Sequence, residues 1–493
     1  MQETPKKKSA LGWILCLISM AAVFCLGLLA ASITERKAEV ASIYNNKKVD
    51  LAAVPVESKN EQWGLNYPRE FETWKMTAKG DFKSKYHGNQ VQDVLEERPD
   101  MVILWAGYAF SRDYTAPRGH MHALDEMRGT LRTGTPGVDG AKDMQPGTCW
   151  TCKSPDVPRY MAANGPAKFY NQPWSNLGAE IVHPIGCADC HDAKTMNLAV
   201  SRPALKEAFE RTGRDISKAT QQELRSLVCA QCHEEYYFRP ADKYLMFPFD
   251  KGQSVEDIEA YFDEIKFTDY VHKLSKAPIL KAQHPGWSVF LRGPHGQHGV
   301  ACADCHMPYK SEGGIKYSDH QIMSPLAKIA STCQTCHRES EETLKGWVYE
   351  YQRAGFETRT VAEHELVKAH LMAEACWKAG ATEAEMDQAL KCIRKGQWRW
   401  DYAVASHGAS FHAPAEYQRI ISHAIEFGLK AQLELQKVLI AHNATFEMPD
   451  VSTKAKAQAY IGLDMPKLEK DKKEFLNTIV PKWEEQARKA GIL

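Results

Sequence analysis

The sequence predicts a mainly α protein, with long loops through its first half and long helices toward its C-terminus. Apolar residues recur every three or four positions from Glu339 to Gln397, and again from Ala415 to about His442. Strand-like alternation is rare, and Gly- and Pro-rich stretches interrupt the first two thirds of the chain. A loop-rich interior of this kind needs some other group to fill it.

Composition and charge exclude several classes of protein. The 493 residues have an ordinary globular composition, in which 62 Lys and Arg balance 62 Asp and Glu. A nucleic-acid-binding protein would need a basic excess, so no nucleic-acid partner is expected. The 14 cysteines are too sparse for a disulfide scaffold, and ten of them form five Cys-x-x-Cys pairs between residues 149 and 336.

The N-terminus carries an export or anchoring signal. A basic segment, residues 1–9, precedes an apolar run over residues 10–33, which is long enough to span a membrane. The charge bias predicts a cytoplasmic N-terminus and an exported remainder, with a linker over residues 34–60 and a folded domain over residues 61–493. A retained anchor is favoured because the apolar run is longer than the apolar part of a usual secretory signal. A secretory signal cut near Ala30 is the alternative. Cys16 and Cys25 lie within the run and are expected to act as small apolar residues.

Four of the Cys pairs are followed directly by His, which is the attachment pattern for c-type haem. Two thiols one turn apart form thioethers with the two vinyl groups of one haem, and the next imidazole then lies beneath the iron. Structural zinc also uses Cys-x-x-Cys but does not require the adjacent His, so zinc and disulfides are weaker alternatives. The motifs comprise Cys187, Cys190 and His191; Cys229, Cys232 and His233; Cys302, Cys305 and His306; and Cys333, Cys336 and His337.

The fifth pair, Cys149-Trp-Thr-Cys152, keeps the spacing but is followed by Lys153. Alone it would also fit a decayed haem site or a redox pair; beside four intact motifs it indicates a fifth haem with a lysine amine on the iron. An amine must lose its proton to ligate, which burial or metal binding favours. Haems with His on both faces suit electron transfer, so the haem with a different ligand is the candidate for an open, catalytic face. A degenerate electron-transfer haem is the alternative.

One Cys-Trp-Thr-Cys-Lys followed by four Cys-x-x-Cys-His resembles the pentahaem cytochrome c nitrite reductases, the ammonia-forming enzymes of periplasmic nitrite respiration. Further segments are similar to that family, namely 130–134, 232–238, 281–285 and 406–408. The resemblance implies a mostly helical multihaem cytochrome c with five haem c groups, a calcium ion and a homodimeric assembly. It also implies six-electron reduction of nitrite to ammonium, with electrons from a membrane-bound quinol-oxidising cytochrome c partner.

Carried over residue by residue, the resemblance makes Lys153 the proximal ligand and Arg132, Tyr236 and His284 the distal pocket. The chemistry agrees, because a guanidinium suits a small anion such as nitrite. Forming ammonium and two waters consumes eight protons, and His is the natural donor near neutral pH. A Tyr hydroxyl can donate a hydrogen bond. Without the resemblance, a surface Arg and a packed Tyr are the simpler interpretations.

The resemblance also implies a calcium site next to the pocket. Its ligands would be the Glu235 carboxylate, the Gln283 amide oxygen, and the backbone carbonyl groups of Tyr236 and Lys281. Oxygen donors of these kinds suit a hard cation. Because Glu235 and Gln283 adjoin Tyr236 and His284, one cation would fix the positions of two catalytic side chains.

Each His-ligated haem needs a second axial ligand. By the family pattern, His120 serves the Cys229 haem, His320 the Cys187 haem, His295 the Cys333 haem and His412 the Cys302 haem. His407 competes with His412, and His298 competes less strongly with His295. The histidines on helical patterns, His364, His370 and His423, are expected to be surface or core residues. Cys376 and Cys392 lack haem spacing and are either a disulfide or two buried thiols.

Three further expectations remain open at this point. The long helix from Ala415 is a candidate dimer interface because of its apolar stripe, with core packing as the simpler explanation. A pure electron-transfer cytochrome without substrate is the rival function from another class. A reductase of hydroxylamine, sulfite or tetrathionate is the nearer rival.

Overall fold

The computed structural model describes residues 10–45, 48–86, 88–142 and 145–493 and is built mainly from helices. The mainly α prediction is confirmed, and the basic residues Lys6 to Lys8 lie outside the described part. Within these residues, six strands form three separate two-stranded antiparallel hairpins. They are β1 (Tyr237–Phe238) with β2 (Leu245–Met246), β3 (Tyr270–Val271) with β4 (Pro278–Ile279), and β5 (Tyr309–Glu312) with β6 (Ile315–Ser318).

The N-terminal helix α1 (Ala10–Asn45) is 36 residues long. It continues well beyond Ile33, where the apolar run ends, so the first part of the predicted linker is helical. Within it, Leu11–Glu39 is long and apolar enough to cross a membrane, and none of that segment is buried against the rest of the chain. At its C-terminal end the Lys37 side chain packs against Gly314, in the turn between β5 and β6.

Short helices joined by loops make up the first two thirds of the folded domain. Several begin with a side-chain cap; Thr220 and Glu223, for example, form reciprocal capping hydrogen bonds with the backbone. In chain order they are α2 (Asn60–Asn66), α3 (Pro68–Lys75), α4 (Val94–Glu97), α5 (Asp100–Leu104), α6 (Ala123–Gly129), α7 (Asp156–Asn164), α8 (Pro166–Tyr170), α9 (Cys187–Cys190), α10 (Pro203–Arg211), α11 (Gln221–Ala230), α12 (Val255–Glu264), α13 (Gly286–Phe290), α14 (Pro294–Gln297) and α15 (Cys302–His306).

Three long helices follow, α16 (Glu341–Lys378), α17 (Glu383–Ala405) and, after the short α18 (Ala409–His412), α19 (Pro414–Ala441). The predicted helical stretch from Glu339 to Gln397 is therefore two helices. The chain breaks at Gly380, whose φ of +92° favours glycine, and Thr382 then caps α17 together with Glu385. The second long helix matches its prediction within one residue at each end.

The predicted apolar face of α19 divides into two parts. Ile420, Ile421 and Ala424 are buried against α16 and α17, whereas Leu429 and Leu433 are 45% and 65% exposed. The apolar residues of α19 therefore lie on more than one face: a buried face packs against α16 and α17 as far as Leu435 and Leu439, and Leu429 and Leu433 lie outside it.

The chain ends in three helices that return to the first half of the domain, α20 (Lys454–Tyr460), α21 (Met465–Thr478) and α22 (Val480–Lys489). Phe475 of α21 and Trp483 of α22 pack on Trp174, with ring centres 5.8 and 5.6 Å away. Trp174 lies in turn 5.4 Å from Trp150, inside the lysine-bearing Cys motif. The C-terminus therefore covers the back of that motif.

Candidate active site and haem-binding motifs

Each His that follows a Cys pair faces a second His from a distant part of the chain. The ring centres are 6.4 Å apart for His233 and His120, and 6.2 Å apart in the other three pairs. Those pairs are His191 with His320, His337 with His295, and His306 with His412.

These separations are compatible with one metal ion between two imidazoles, but distance alone does not select the pair, because the His233 ring also lies 6.4 Å from that of His284. A metal–imidazole bond of about 2 Å puts the ring centre about 3.2 Å from the metal, so two opposed rings lie about 6.3 Å apart. His412 rather than His407 faces His306, while the His407 ring lies 6.0 Å from His284. His295 rather than His298 faces His337. The structure thus brings together all four predicted His pairs.

Backbone carbonyl groups set the tautomer of three of these rings. The Nδ1–H groups of His191, His306 and His320 donate to the carbonyl oxygens of Met196, Met323 and Ser318, at 2.9, 3.0 and 2.9 Å. A carbonyl can only accept, so the proton is on Nδ1 and Nε2 keeps its lone pair for a metal.

Burial favours the neutral form of several of the paired rings. Desolvation lowers the pKa of His233 to about 3 and that of His412 to about 3, and lowers that of His320 to about 4. A neutral imidazole is the form that ligates a metal. The Cys residues of the motifs are unpaired thiols, available for thioether bonds. Cys376 and Cys392 are also unpaired and are buried, which is the second of the two alternatives for them.

The lysine-bearing motif forms a tight turn on a buried aromatic base. The backbone N–H of Lys153 donates to the carbonyl oxygen of Trp150 at 3.0 Å, and the Trp150 indole donates to the carbonyl oxygen of Trp174 at 2.8 Å. Burial is the main cause of the lowered pKa values of His233 and His284, and the charge of nearby Lys153 adds to both, so all three side chains lie in one region.

Arg132 is held by residues that its local sequence pattern does not reveal. Its Nε–H donates to Thr130 Oγ1 at 2.9 Å, and its guanidinium lies 4.4 Å from the centre of the Phe110 ring. Asp113 accepts from the Thr130 hydroxyl at 2.8 Å and from the Leu131 N–H at 2.7 Å, and lies 3.7 Å from Arg132 Nε. Asp113 therefore fixes the turn that carries Arg132.

Tyr236 and His284 lie next to each other, with ring centres 6.4 Å apart. His284 is deeply buried, and its Nδ1 has no hydrogen-bond partner among the described residues. Burial lowers the pKa of His284 well below its usual value and raises that of Tyr236 well above its usual value. Both side chains are therefore neutral, and both can donate a hydrogen bond.

The predicted calcium residues form a buried cluster in which one carboxylate oxygen lacks a hydrogen-bond partner among the described residues. Glu235 Oε2 accepts the Gln283 backbone N–H at 2.7 Å, whereas Glu235 Oε1 is buried without a hydrogen-bond partner in the described chain. The Gln283 amide lies 3.2 Å from the Lys281 carbonyl oxygen. Burial raises the pKa of Glu235, and a bound cation would reverse that effect by stabilising the carboxylate. The residues fit an oxygen-ligated cation.

The helical fold, the five Cys pairs and the opposed histidines together define a multihaem c-type cytochrome. Residues 59–491 match the cytochrome c552 family model, and the chain belongs to that family. Two similar proteins named cytochrome c-552 come from Porphyromonas gingivalis, at 61% identity over 99% of this chain and 98% of the relative, and from Bacteroides fragilis, at 60% identity over 99% of each.

A solved structure supports the same assignment of the fold. The catalytic subunit of cytochrome c nitrite reductase from Desulfovibrio desulfuricans, described with two calcium sites, superposes with a TM-score of 0.74 at 30% identity. The match covers 85% of this chain and 91% of that subunit. The mainly α multihaem prediction and the predicted family are confirmed.

Proposed function

We propose that this protein reduces nitrite to ammonium at the haem attached to Cys149 and Cys152, with the Lys153 amine as its proximal ligand. The observation that carries the proposal is the difference between motifs. Four motif histidines each face a second histidine across a metal-sized gap, whereas Lys153 shares its region with His284 and, through the Cys149 turn, with Arg132 and Tyr236.

Each pocket residue has a role that follows from its charge and burial. Arg132 binds the nitrite anion with a guanidinium whose orientation Phe110 and Asp113 restrict. His284 and Tyr236 are neutral donors, so they can hydrogen-bond to the nitrite oxygens and pass on protons during reduction. The haem supplies the electrons when it is bound.

The other haem sites suit electron delivery. In the proposal, His120, His320, His295 and His412 are the second axial ligands opposite His233, His191, His337 and His306. Two imidazoles would occupy both faces of a bound haem iron, so these four sites would serve electron transfer and would not bind nitrite. Three of the eight rings have their orientation set by a carbonyl, as expected where a metal ligand must not rotate.

We further propose a calcium ion on Glu235, Gln283 and the carbonyl oxygens of Tyr236 and Lys281. Glu235 Oε1, which has no other partner, provides the charge. The Gln283 amide must turn so that its oxygen rather than its nitrogen faces the cation, a rotation that amide assignments permit. The ion would hold the backbone that positions Tyr236 and His284.

The exposed apolar surface of the long helices supports a homodimer. Leu429 and Leu433 of α19 and Val361 of α16 are exposed, together with Trp347 and Ile440. A second copy would cover this stripe with an equivalent surface. Leu433→Arg should therefore shift the protein to monomer in sedimentation velocity, whereas Glu474→Arg on α21 should not; a dimer that survives the first change would contradict this interface.

The exposed apolar part of α1 supports a membrane anchor with the haem domain outside the cytoplasm, where a membrane-bound quinol-oxidising cytochrome c would donate electrons. Washing membranes with high salt tests the anchor. A retained helix keeps the protein with the membrane fraction, and a cleaved one releases it.

Spin state and product yield test the proposed reaction. The purified protein should show five haems, one of them high-spin in the ferric state, and should form one ammonium per nitrite. A spectrum with only low-spin haems would instead support the electron-transfer rival, and faster turnover of hydroxylamine, sulfite or tetrathionate would support another substrate. Lys153→His should keep the haem attached and lose most nitrite turnover; full activity would make the lysine incidental.

A further inference from the structure

Arg202 lies outside every motif considered so far, yet only 1% of its surface is exposed. Its Nε–H donates to the carbonyl oxygen of Thr151 at 2.9 Å, and its Nη2–H donates to that of Ser154 at 2.8 Å. Those two carbonyl groups stand on either side of Cys152 and Lys153. One guanidinium therefore holds both ends of the turn that carries the lysine ligand.

The same guanidinium connects this turn to the second Cys motif. Arg202 Nη1 lies 2.5 Å from Asp189 Oδ1, and Asp189 is the residue before Cys190. The other Asp189 oxygen accepts the Gly186 N–H at 2.7 Å, which caps the short helix of that motif. The Gly186 N–H therefore restrains the Asp189 carboxylate that pairs with Arg202.

The third Cys motif is hydrogen-bonded to the same residues through Gln231, the residue before Cys232. Its amide oxygen accepts the Arg202 backbone N–H at 3.0 Å, and its Nε2–H donates to the Asp189 carbonyl oxygen at 2.8 Å. Arg202, Asp189 and Gln231 therefore join three haem-binding motifs in one buried network.

A buried ion pair is weak support for stability, because well-packed apolar residues would serve as well. What this network adds is geometry, since the planar guanidinium offers a rigid fork of donors that a lysine ammonium does not reproduce. The need is specific to Lys153. The rings of His191, His306 and His320 are oriented by carbonyl groups, but the Lys153 amine makes no hydrogen bond or ion pair in the described residues, so its direction depends on its backbone.

We propose that Arg202 is a positioning residue for Lys153, through its hydrogen bonds to the carbonyl groups of Thr151 and Ser154. The inference rests on the proposed function, in which Lys153 is the proximal ligand of the active haem. The arginine holds the turn so that the amine meets the iron, and Asp189 and Gln231 hold the arginine.

The chain provides a matched control. Arg225 is also buried, and it pairs with Asp304 at 2.9 Å. Asp304 has the same position in the Cys302 motif that Asp189 has in the Cys187 motif. The remaining Arg225 bond goes to the Tyr309 hydroxyl rather than to the lysine turn. Arg225→Lys therefore perturbs an equivalent pair without touching Lys153.

The experiment compares haem content, the high-spin ferric signal and nitrite turnover in the full-length protein and four variants. Arg202→Lys keeps the charge but loses the planar fork of donors, Arg202→Gln keeps an amide donor without the charge, and Asp189→Asn keeps both carbonyl bonds. Both Arg202 variants should retain five haems, show a high-spin ferric signal changed in shape from that of the wild type, and lose about 10- to 100-fold in turnover, as expected when a group orienting a metal ligand is removed. Arg225→Lys should keep the wild-type signal, and Asp189→Asn, which loses only the ion pair with Arg202, should have a smaller effect than either Arg202 variant.

Two results would overturn the inference. One is a wild-type high-spin signal and turnover in both Arg202 variants. The other is an equal loss in Asp189→Asn or Arg225→Lys, which would assign the effect to charge or general packing. Failure of the proposed function is distinct, because it would appear in the unmodified protein as the absence of a high-spin haem.

Discussion

The ammonium group of Lys472 donates to the carbonyl oxygen of Gly134 at 2.5 Å, two residues beyond Arg132. It also donates to the carbonyl oxygen of Arg128 at 3.1 Å and lies 3.3 Å from the Thr133 hydroxyl. One lysine from α21 therefore binds both ends of the turn that presents Arg132.

Replacing Lys472 with Met should weaken nitrite binding. The apolar side chain fills the same space but leaves the three oxygens without a donor, so the turn can shift. A displacement of about 1 Å lowers kcat/KM by up to about 100-fold, and here the loss should appear mainly in KM. Steady-state kinetics with nitrite measures this, with exposed Lys473→Met as control. An unchanged KM would show that Arg132 is held without Lys472.

The same lysine predicts how stability depends on pH. Burial lowers the pKa of Lys472 from 10.5 to about 8 in the folded protein. Between those two values the unfolded chain binds more protons, so this group makes the free energy of unfolding rise with pH; below about 8 its cost is constant. Denaturant unfolding from pH 7.5 to 10.5 measures the free energy of unfolding of wild type and of Lys472→Met. The wild-type value minus the variant value should rise with pH. A constant difference would contradict the lowered pKa.

Asp113→Asn should impair the same turn from its other side. The amide has one acceptor oxygen in place of two, so it cannot accept from both the Thr130 hydroxyl and the Leu131 N–H as the carboxylate does. It also lacks the negative charge that attracts Arg132. We expect kcat/KM for nitrite to fall about 10-fold. Haem content should stay at five per chain. The exposed Asp125→Asn serves as the control, and equal losses in the two variants would argue against a specific role.

Variants of two histidines distinguish the ligand from its competitor. His412→Ala should convert the Cys302 haem from low-spin to high-spin, because the ring opposite His306 is removed. His407→Ala should leave the number of low-spin haems unchanged, although it adjoins His284 and should lower turnover. Electron paramagnetic resonance of the ferric protein counts both states. The reverse result would make His407 the axial ligand.

Removal of calcium should slow turnover and lower thermal stability. Chelation leaves Glu235 Oε1 buried without a partner, and a ligand that binds only the folded state adds to stability. Adding calcium back should restore both properties, whereas magnesium should not, because it prefers a smaller octahedral site. Glu235→Gln should show little response to either ion. An untreated protein that already lacks calcium and is fully active would exclude the site.

Local patterns predicted the haem motifs and the long C-terminal helices, because covalent attachment and amphipathic periodicity act over a few residues, whereas the pairing of the histidines came from the family resemblance. Two signals in the sequence would also have placed the break between α16 and α17, namely Gly380 and the Thr382–Glu385 cap. Arg202, Asp113 and Lys472 were not found, since each acts through carbonyl oxygens far away in sequence. Every residue has a backbone carbonyl group, so a hydrogen bond to one leaves no pattern of residue types in the sequence.

The contact between Lys472 and Gly134 spans 338 residues. Synthesis and export deliver the N-terminal part first, so each chain receives its Cys motifs long before the lysine that secures Arg132. In the proposed function, a polypeptide released before α21 would therefore hold all five Cys motifs while the turn that carries Arg132 lacked its lysine.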